Sequence, residues 1–309
     1  MPSSITHAYL AEDVFKRLDK DIQTKINLEN FKTYSEGPDV FYFYHLMIPI
    51  TKKSSKVRKL GSIIHHNKTN EFFINLTEKV KKSKNIDEFN YLVGLFNHYI
   101  ADTTIHPYVE YKASLLTKKY LTKKDNHFII EAYLDNYLIN KKQINYKKYR
   151  NYQLFLNTKE SKDVINLLNS SIFEVFKLKD MGNYYYKALD EMRVFFKVLR
   201  YDPYKIKRYI YNVLNIVAKR SFRDIRYLSY NFDLDNDNYL NLNHDTWYYL
   251  NDKSITSNKS ILDLYSDIVV KSSNKIKILY DYIFNDKEID LNLLFENLSY
   301  GTGISLDKK

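Results

Sequence analysis

Only six glycines and five prolines punctuate this chain of 309 residues. Tight β-turns lean on those two residues, Gly for positive φ and Pro for a preset one. Their scarcity points to long helices joined by short loops, not to a β-rich fold. With 44% hydrophobic residues the chain can build a large core. Its length allows one or two domains.

Helical spacing recurs along the chain. Apolar residues at Ile5, Tyr9, Leu10, Val14, Leu18, Ile22 and Ile26 predict helix over 5–27. "SEGPD" (35–39) reads as a turn, and "VFYFYHLMIPI" (40–50) as either a buried strand or a buried irregular segment. Residues 57–83 predict one or two helices, with Thr69 as a candidate N-cap in the middle. Asp87 is the expected N-cap of "EFNYLVGLFNHYIADTTI". Pro107 disfavours helix at His106, so that helix should end or kink there. A Lys-rich link at 117–125 leads to Asn126 and the helical "HFIIEAYLDNYLI". From 158 onward "SKDVINLLNSSIFEVFKL", "YYYKALDEMRVFFKVL", "DPYKIKRYIYNVLNIVAKRSFRDI" and "SILDLYSDIVVKSSNKIKILYDYIF" are again helical, with an irregular stretch at 231–252. No internal repeat and no long linker divides the chain. One all-α domain is expected over 1–309, with a second helical subdomain starting near residue 150 as the alternative.

Composition narrows the chemistry. The absence of cysteine excludes disulfides, Cys-bound zinc and thiol nucleophiles. Any metal must be held by His, Asp or Glu. A net charge of +11 favours anionic partners: nucleic acid, anionic lipid headgroups or phosphorylated substrates. The short basic runs, such as "KVKKSK", read as solvated loops or helix ends. "MPSSITHAYLAEDVF" has neither the basic nor the apolar region of a signal peptide, and no stretch reaches the ~18 apolar residues of a membrane span. A cytoplasmic protein is expected.

Residues one helical turn apart share a face, so an i, i+4 pair can offer two ligands to one metal. His98 and Asp102 form such a pair, with His106 a turn further on. His127 and Glu131 form another, with Asp135 a turn further on. One pair is commonplace, whereas two on adjacent helices carry more weight. Seven of the eight histidines, His7, His45, His65, His66, His98, His106 and His127, lie in the first 127 residues, a clustering that a shared site would produce. The same pattern also describes polar stripes on ordinary helices, and residue chemistry leaves the two readings level. "DLDNDNYLNLNH" begins like a calcium loop at Asp233, Asp235 and Asp237. It has Asn238 and His244 where an EF-hand needs Gly and Glu, and a turn around Trp247 is expected instead.

The ordered set "THA" (6–8), "GPD" (37–39), "GSIIHHNKT" (61–69), "HYIADTTIHPY" (98–108) and "HFIIEAYLD" (127–135) resembles the zinc-dependent phospholipase C family. "NYLNLNHDTW" (238–247) and "SILDLYSDIV" resemble its C-terminal part. The resemblance implies an all-α, multi-helical orthogonal bundle of the phospholipase C / P1 nuclease type. Its metal-site half would be about 1–150 and its helical C-terminal half about 151–309. It implies two to three zinc ions. Asp39, His65, His98 and Asp102 would hold one, His106, His127 and Glu131 a second, and His7 with the bridging Asp102 a third. His65 fits the family pattern better than His66. His45 and His244 would be structural, and Glu110 and Asp135 would support ligand histidines.

Two departures stand out. No Trp begins the chain to complete the third metal, and Asp102 and His106 lie closer in sequence than in secreted members. The resemblance implies a phosphodiester hydrolase in which metal-bound hydroxide attacks a phospholipid phosphorus, with Asp39 orienting or deprotonating the water. Peripheral contact with an anionic membrane surface would suit the charge. The alternatives are a nuclease or nucleotidase on the same fold, and a non-catalytic metal-stabilised helical protein.

Overall fold

A computed structural model describes residues 4–46, 51–116, 122–144, 154–155, 157–198, 206, 209–210 and 238–307. The fold is all-α. Helices α1 (Ser4–Arg17), α2 (Lys20–Lys25) and α3 (Leu28–Tyr34) lead into a 3₁₀ helix, Gly37–Phe43. Then come α4 (Lys52–His66), α5 (Thr69–Ser83), α6 (Ile86–Leu115), α7 (Lys123–Lys141), α8 (Lys162–Phe176) and α9 (Tyr185–Val198). A two-stranded antiparallel hairpin, β1 (Trp247–Tyr249) and β2 (Asp252–Ser257), precedes α10 (Ile261–Phe284) and α11 (Leu291–Phe295).

Helix α6 is the axis of the fold. Every residue from 89 to 103 is buried, because apolar side chains occupy all its faces and not one stripe. It is packed by α1, α3, α5, α7, α8, α10, the 3₁₀ helix and β1. Its N-cap is Asn85, whose side chain accepts from the Asp87 and Glu88 amides, so Asp87 lies inside the first turn and is not the expected cap. The expected end or kink at His106 gives way to one 30-residue helix that contains Pro107. Proline removes a single helical hydrogen bond, and packing from many sides outweighs that loss.

Several expectations at helix boundaries shift in the same way. Helix over 5–27 divides at Leu18–Asp19 into α1 and α2. The candidate cap Thr69 is instead the first residue of α5, preceded by Lys68 at φ 53°. Helix α7 starts at Lys123, three residues before Asn126, behind a Thr122–Asp125 capping box. Residues 40–43 of the aromatic run are 3₁₀ helix, and 47–50 lie outside the described residues. The helix expected over 202–225 and the acidic residues Asp233, Asp235 and Asp237 also fall almost wholly outside them. Turns are present despite the few glycines. Lys68, Lys84, Lys177, Asp180, Asn241 and Asp286 are among the non-glycine residues at positive φ. Trp247 is buried against Tyr108 and Tyr249, and its indole donates to the Lys259 carbonyl at 3.0 Å.

Candidate metal centre

The structure brings all eight predicted donors into one cluster. His7 comes from α1, Asp39 from the 3₁₀ helix and His65 from the end of α4. His98, Asp102 and His106 form one stripe on α6, and His127 and Glu131 face them from α7. They fall into three groups: His7, His98 and Asp102; Asp39, His65 and His98; and His106, His127 and Glu131. Ligand atoms within a group lie within 4.8 Å of one another.

Asp102 joins the groups. Its Oδ1 is 3.4 Å from His7 Nε2, and its Oδ2 is 3.2 Å from His98 Nε2. The same Oδ2 lies 3.7 Å from His65 Nε2 and 3.7 Å from His106 Nδ1. Asp39 Oδ1 is 3.3 Å from His65 Nε2. Glu131 Oε1 is 3.2 Å from His106 Nε2 and 3.0 Å from His127 Nε2. His66 is exposed, one position along the helix from buried His65. His45 sits beside Glu191, and His244 is exposed beside Asp263, both outside the cluster.

Four of the five histidines are held in one way, with Nδ1 engaged behind and Nε2 presented to the cluster. His65 Nδ1 donates to its own helix, at the Gly61 carbonyl (2.7 Å). His98 Nδ1 donates to the Ser35 carbonyl (3.1 Å), and His106 Nδ1 to the Tyr300 carbonyl (2.9 Å). His127 Nδ1 meets Glu110 Oε1 (2.7 Å), as expected of Glu110. Asp135 accepts from the Thr6 amide (2.9 Å) and hydroxyl (2.6 Å), beside His7. Gly37, at φ +56°, makes room for His98: a Cβ there would lie 2.5 Å from the imidazole.

Burial opposes charge on Asp102, Glu131 and Glu110, and the histidines beside them decide the outcome. Against that burial, His106, His98, His65 and His7 hold Asp102 well below the usual carboxylate range. His127 and His106 bring buried Glu131 down to about 2, and His127 with Lys123 does the same for Glu110. Reciprocally, Asp102 and Glu131 raise His106 to about 9 despite its burial, and Glu131 and Glu110 raise His127. Glu36 is the exception. Burial pushes it up to about 8, and its Oε1 is buried without a hydrogen-bond partner.

The donor set fits zinc. Two ligands about 2.0–2.1 Å from a tetrahedral zinc stand roughly 3.3 Å apart, close to the separations around Asp102 and Glu131. His98 Nε2 and Glu131 Oε2 are buried and make no hydrogen bond, as lone pairs reserved for a cation would be. Chemistry and spacing therefore point the same way. The sequence model of zinc dependent phospholipase C matches residues 6–186. The chain belongs to the zinc-dependent phospholipase C family. No curated protein and no solved structure matches it.

All eight donors lie within the part that matches the phospholipase C family, as do Ser35, Gly61 and Glu110. Tyr300 lies beyond it, as does the C-terminal stretch whose resemblance was noted in the sequence. Sequence reasoning missed the three carbonyls, those of Ser35, Gly61 and Tyr300. Only Gly61 left a signal, since the carbonyl four residues back is always in reach of a helical side chain. Buried Glu36 was also missed, and its place next to "GPD" was the one available hint.

Proposed function

We propose that the protein is a zinc-dependent phosphodiester hydrolase acting on phospholipids. The observation that carries this reading is the convergence of eight His, Asp and Glu donors around Asp102 in a phospholipase C family chain. Asp39, His65, His98 and Asp102 would hold one ion, His106, His127 and Glu131 a second, and His7 with Asp102 a third. Zinc in such sites supplies positive charge against the phosphoryl oxygens and acidifies water.

The chain's own residues prepare the ground. Engaged Nδ1 atoms keep four imidazoles aimed inward, with Nε2 toward the cluster. Low-pKa Asp102 and Glu131 remain carboxylates at neutral pH. Asp39, fixed on a 3₁₀ helix behind the Gly37–Pro38 turn, orients the attacking water or takes its proton. His106 and His127 are the most exposed members, so substrate approaches from their side. The cavity against His7, Asp102, His106 and Glu131 has a volume of about 20 Å³. That is room for about one water, so a phosphodiester engages outside this cavity. A net charge of +11 suits peripheral contact with an anionic membrane surface.

The test is a zinc analysis joined to two assays. Two to three ions per chain and hydrolysis of phosphatidylcholine or phosphatidylethanolamine, with single-stranded DNA left intact, are the expected results. DNA cleavage in their place would transfer the site to nucleic-acid chemistry. Asp39→Asn should lose turnover by ~10²-fold or more, as removal of a general base does, while the fold persists. Near-normal turnover at full zinc content would remove Asp39 from that role.

A further inference from the structure

We propose that residues 296–305, beyond the family match, form a strap that positions the metal ligand His106 through the Tyr300 carbonyl. This rests on the zinc reading above. The strap docks where Pro107 has left α6 incomplete. Proline has no N–H, so the Thr103 carbonyl lacks its helical donor. Gly303 covers that carbonyl at φ +64°. A Cβ on Gly303 would stand 2.5 Å from Thr103 O and 2.8 Å from Pro107 Cγ, so only glycine lets the backbone this close.

The strap is held at its other end too. Tyr99 Oη donates to the Phe295 carbonyl (2.7 Å) and accepts from the Leu298 amide (2.7 Å). Within the strap, the Gly303 amide donates to Ser299 O (2.8 Å) and the Ser299 amide to Ile304 O (2.9 Å). Tyr99, Thr103, His106 and Pro107 follow i, i+4, i+7, i+8 spacing, so α6 offers the strap one continuous face. Between these two anchors Tyr300 is delivered to the cluster. Its ring is fully buried, 4.7 Å from the His65 ring and 5.9 Å from that of His98. Its carbonyl holds His106 Nδ1 at 2.9 Å. That bond commits Nε2 to the cluster whether Nε2 carries a proton or a metal. Losing such an outer hydrogen bond typically weakens metal binding 10–100-fold.

The full-length protein with Gly303→Val, Gly303→Ala and Tyr300→Phe tests this, read by zinc affinity in chelator competition and by NMR of the His106 ring. The parent should show a slowly exchanging Nδ1–H on His106. Gly303→Val should lose it and bind zinc at least tenfold more weakly at unchanged helix content, with Gly303→Ala in between. Tyr300→Phe keeps both ring and carbonyl, and should keep both readouts. The proposal is overturned if Gly303→Val retains the protected proton and parental affinity, with Gly303→Ala judged the same way where the valine variant does not fold. It is equally overturned if Tyr300→Phe alone abolishes tight binding, since the hydroxyl would then be the working group. A parent that binds no zinc would sink the zinc-hydrolase reading, while the His106 proton would still report on the strap.

Discussion

Asp102 presents two oxygens to four imidazoles, and His65, His98 and His106 among them, like His127 beside Glu131, are held from behind at Nδ1. Glu110 is the charged example, shared between His127 and Lys123 (2.6 Å). Glu110→Ala should weaken zinc binding at least tenfold, with Glu110→Gln recovering part of the loss because its amide oxygen still accepts. Chelator competition measures both, and parental affinity in the alanine variant would refute the assignment. Glu36 tests burial that outweighs the nearby charge of His7. Its folded pKa of about 8 lies above its ordinary value of 4.5. The unfolded chain therefore releases this proton first. Stability is lost as pH rises between those two values, at about 1.4 kcal/mol per unit at most. Glu36→Gln removes the liability, so its advantage over the parent should grow by about 2 kcal/mol between pH 6 and pH 8. Urea unfolding at the two pH values measures it, and an advantage that stays flat would place the ionisation of Glu36 elsewhere.

At the scale of the element, α6 explains why two expectations about it failed and a third succeeded. Local rules place a cap at Asp87 and a break before Pro107. The helix instead takes Asn85 as cap, because that side chain reaches two amides, those of Asp87 (2.8 Å) and Glu88 (3.2 Å). It also carries Pro107 without ending. The i, i+4 stripe of His98, Asp102 and His106 holds because the helix is continuous, and the short Asp102–His106 spacing needs no special turn. Asn85→Ala should cost about 1 kcal/mol, read as a lower urea midpoint at unchanged m-value. No loss would mean that water satisfies those amides equally well.

The whole molecule is arranged to bury a set of charges that could not stand alone. Helices α1, α4, α6 and α7 and the 3₁₀ helix each contribute donors, so an ion at the centre ties together segments from residue 7 to residue 131. Helix α10 packs on α1 and α6, so the C-terminal part closes on the N-terminal part. Zinc that binds only the folded state stabilises it by ~4 kcal/mol at a thousandfold excess over Kd. A chelator should therefore lower the melting midpoint, and added zinc should restore it. A midpoint indifferent to both would count against a structural share for the metal. Among the described residues, no helix is long and apolar enough to cross a membrane.

The sequence by itself determined the all-helical class, because scarce Gly and Pro and helical periodicity are local properties; i, i+4 spacing offered His98, Asp102, His106, His127 and Glu131 as candidate donors, and the resemblance added His7, Asp39 and His65. It also carried the family, through an ordered set of short motifs. The two histidines of "GSIIHHNKT" could not be separated locally; only packing turned His65 inward and left His66 in solvent. The carbonyls of Ser35 and Tyr300 lie 63 and 194 residues from the histidines they hold. Backbone carbonyls carry no side-chain signature, so no motif could reveal them. Pro107 likewise reads locally as a stop, and only the surrounding helices and Gly303 made it the interior of one long helix. Tertiary structure decided these points because each depends on which distant groups share a buried volume, and chain spacing does not encode that.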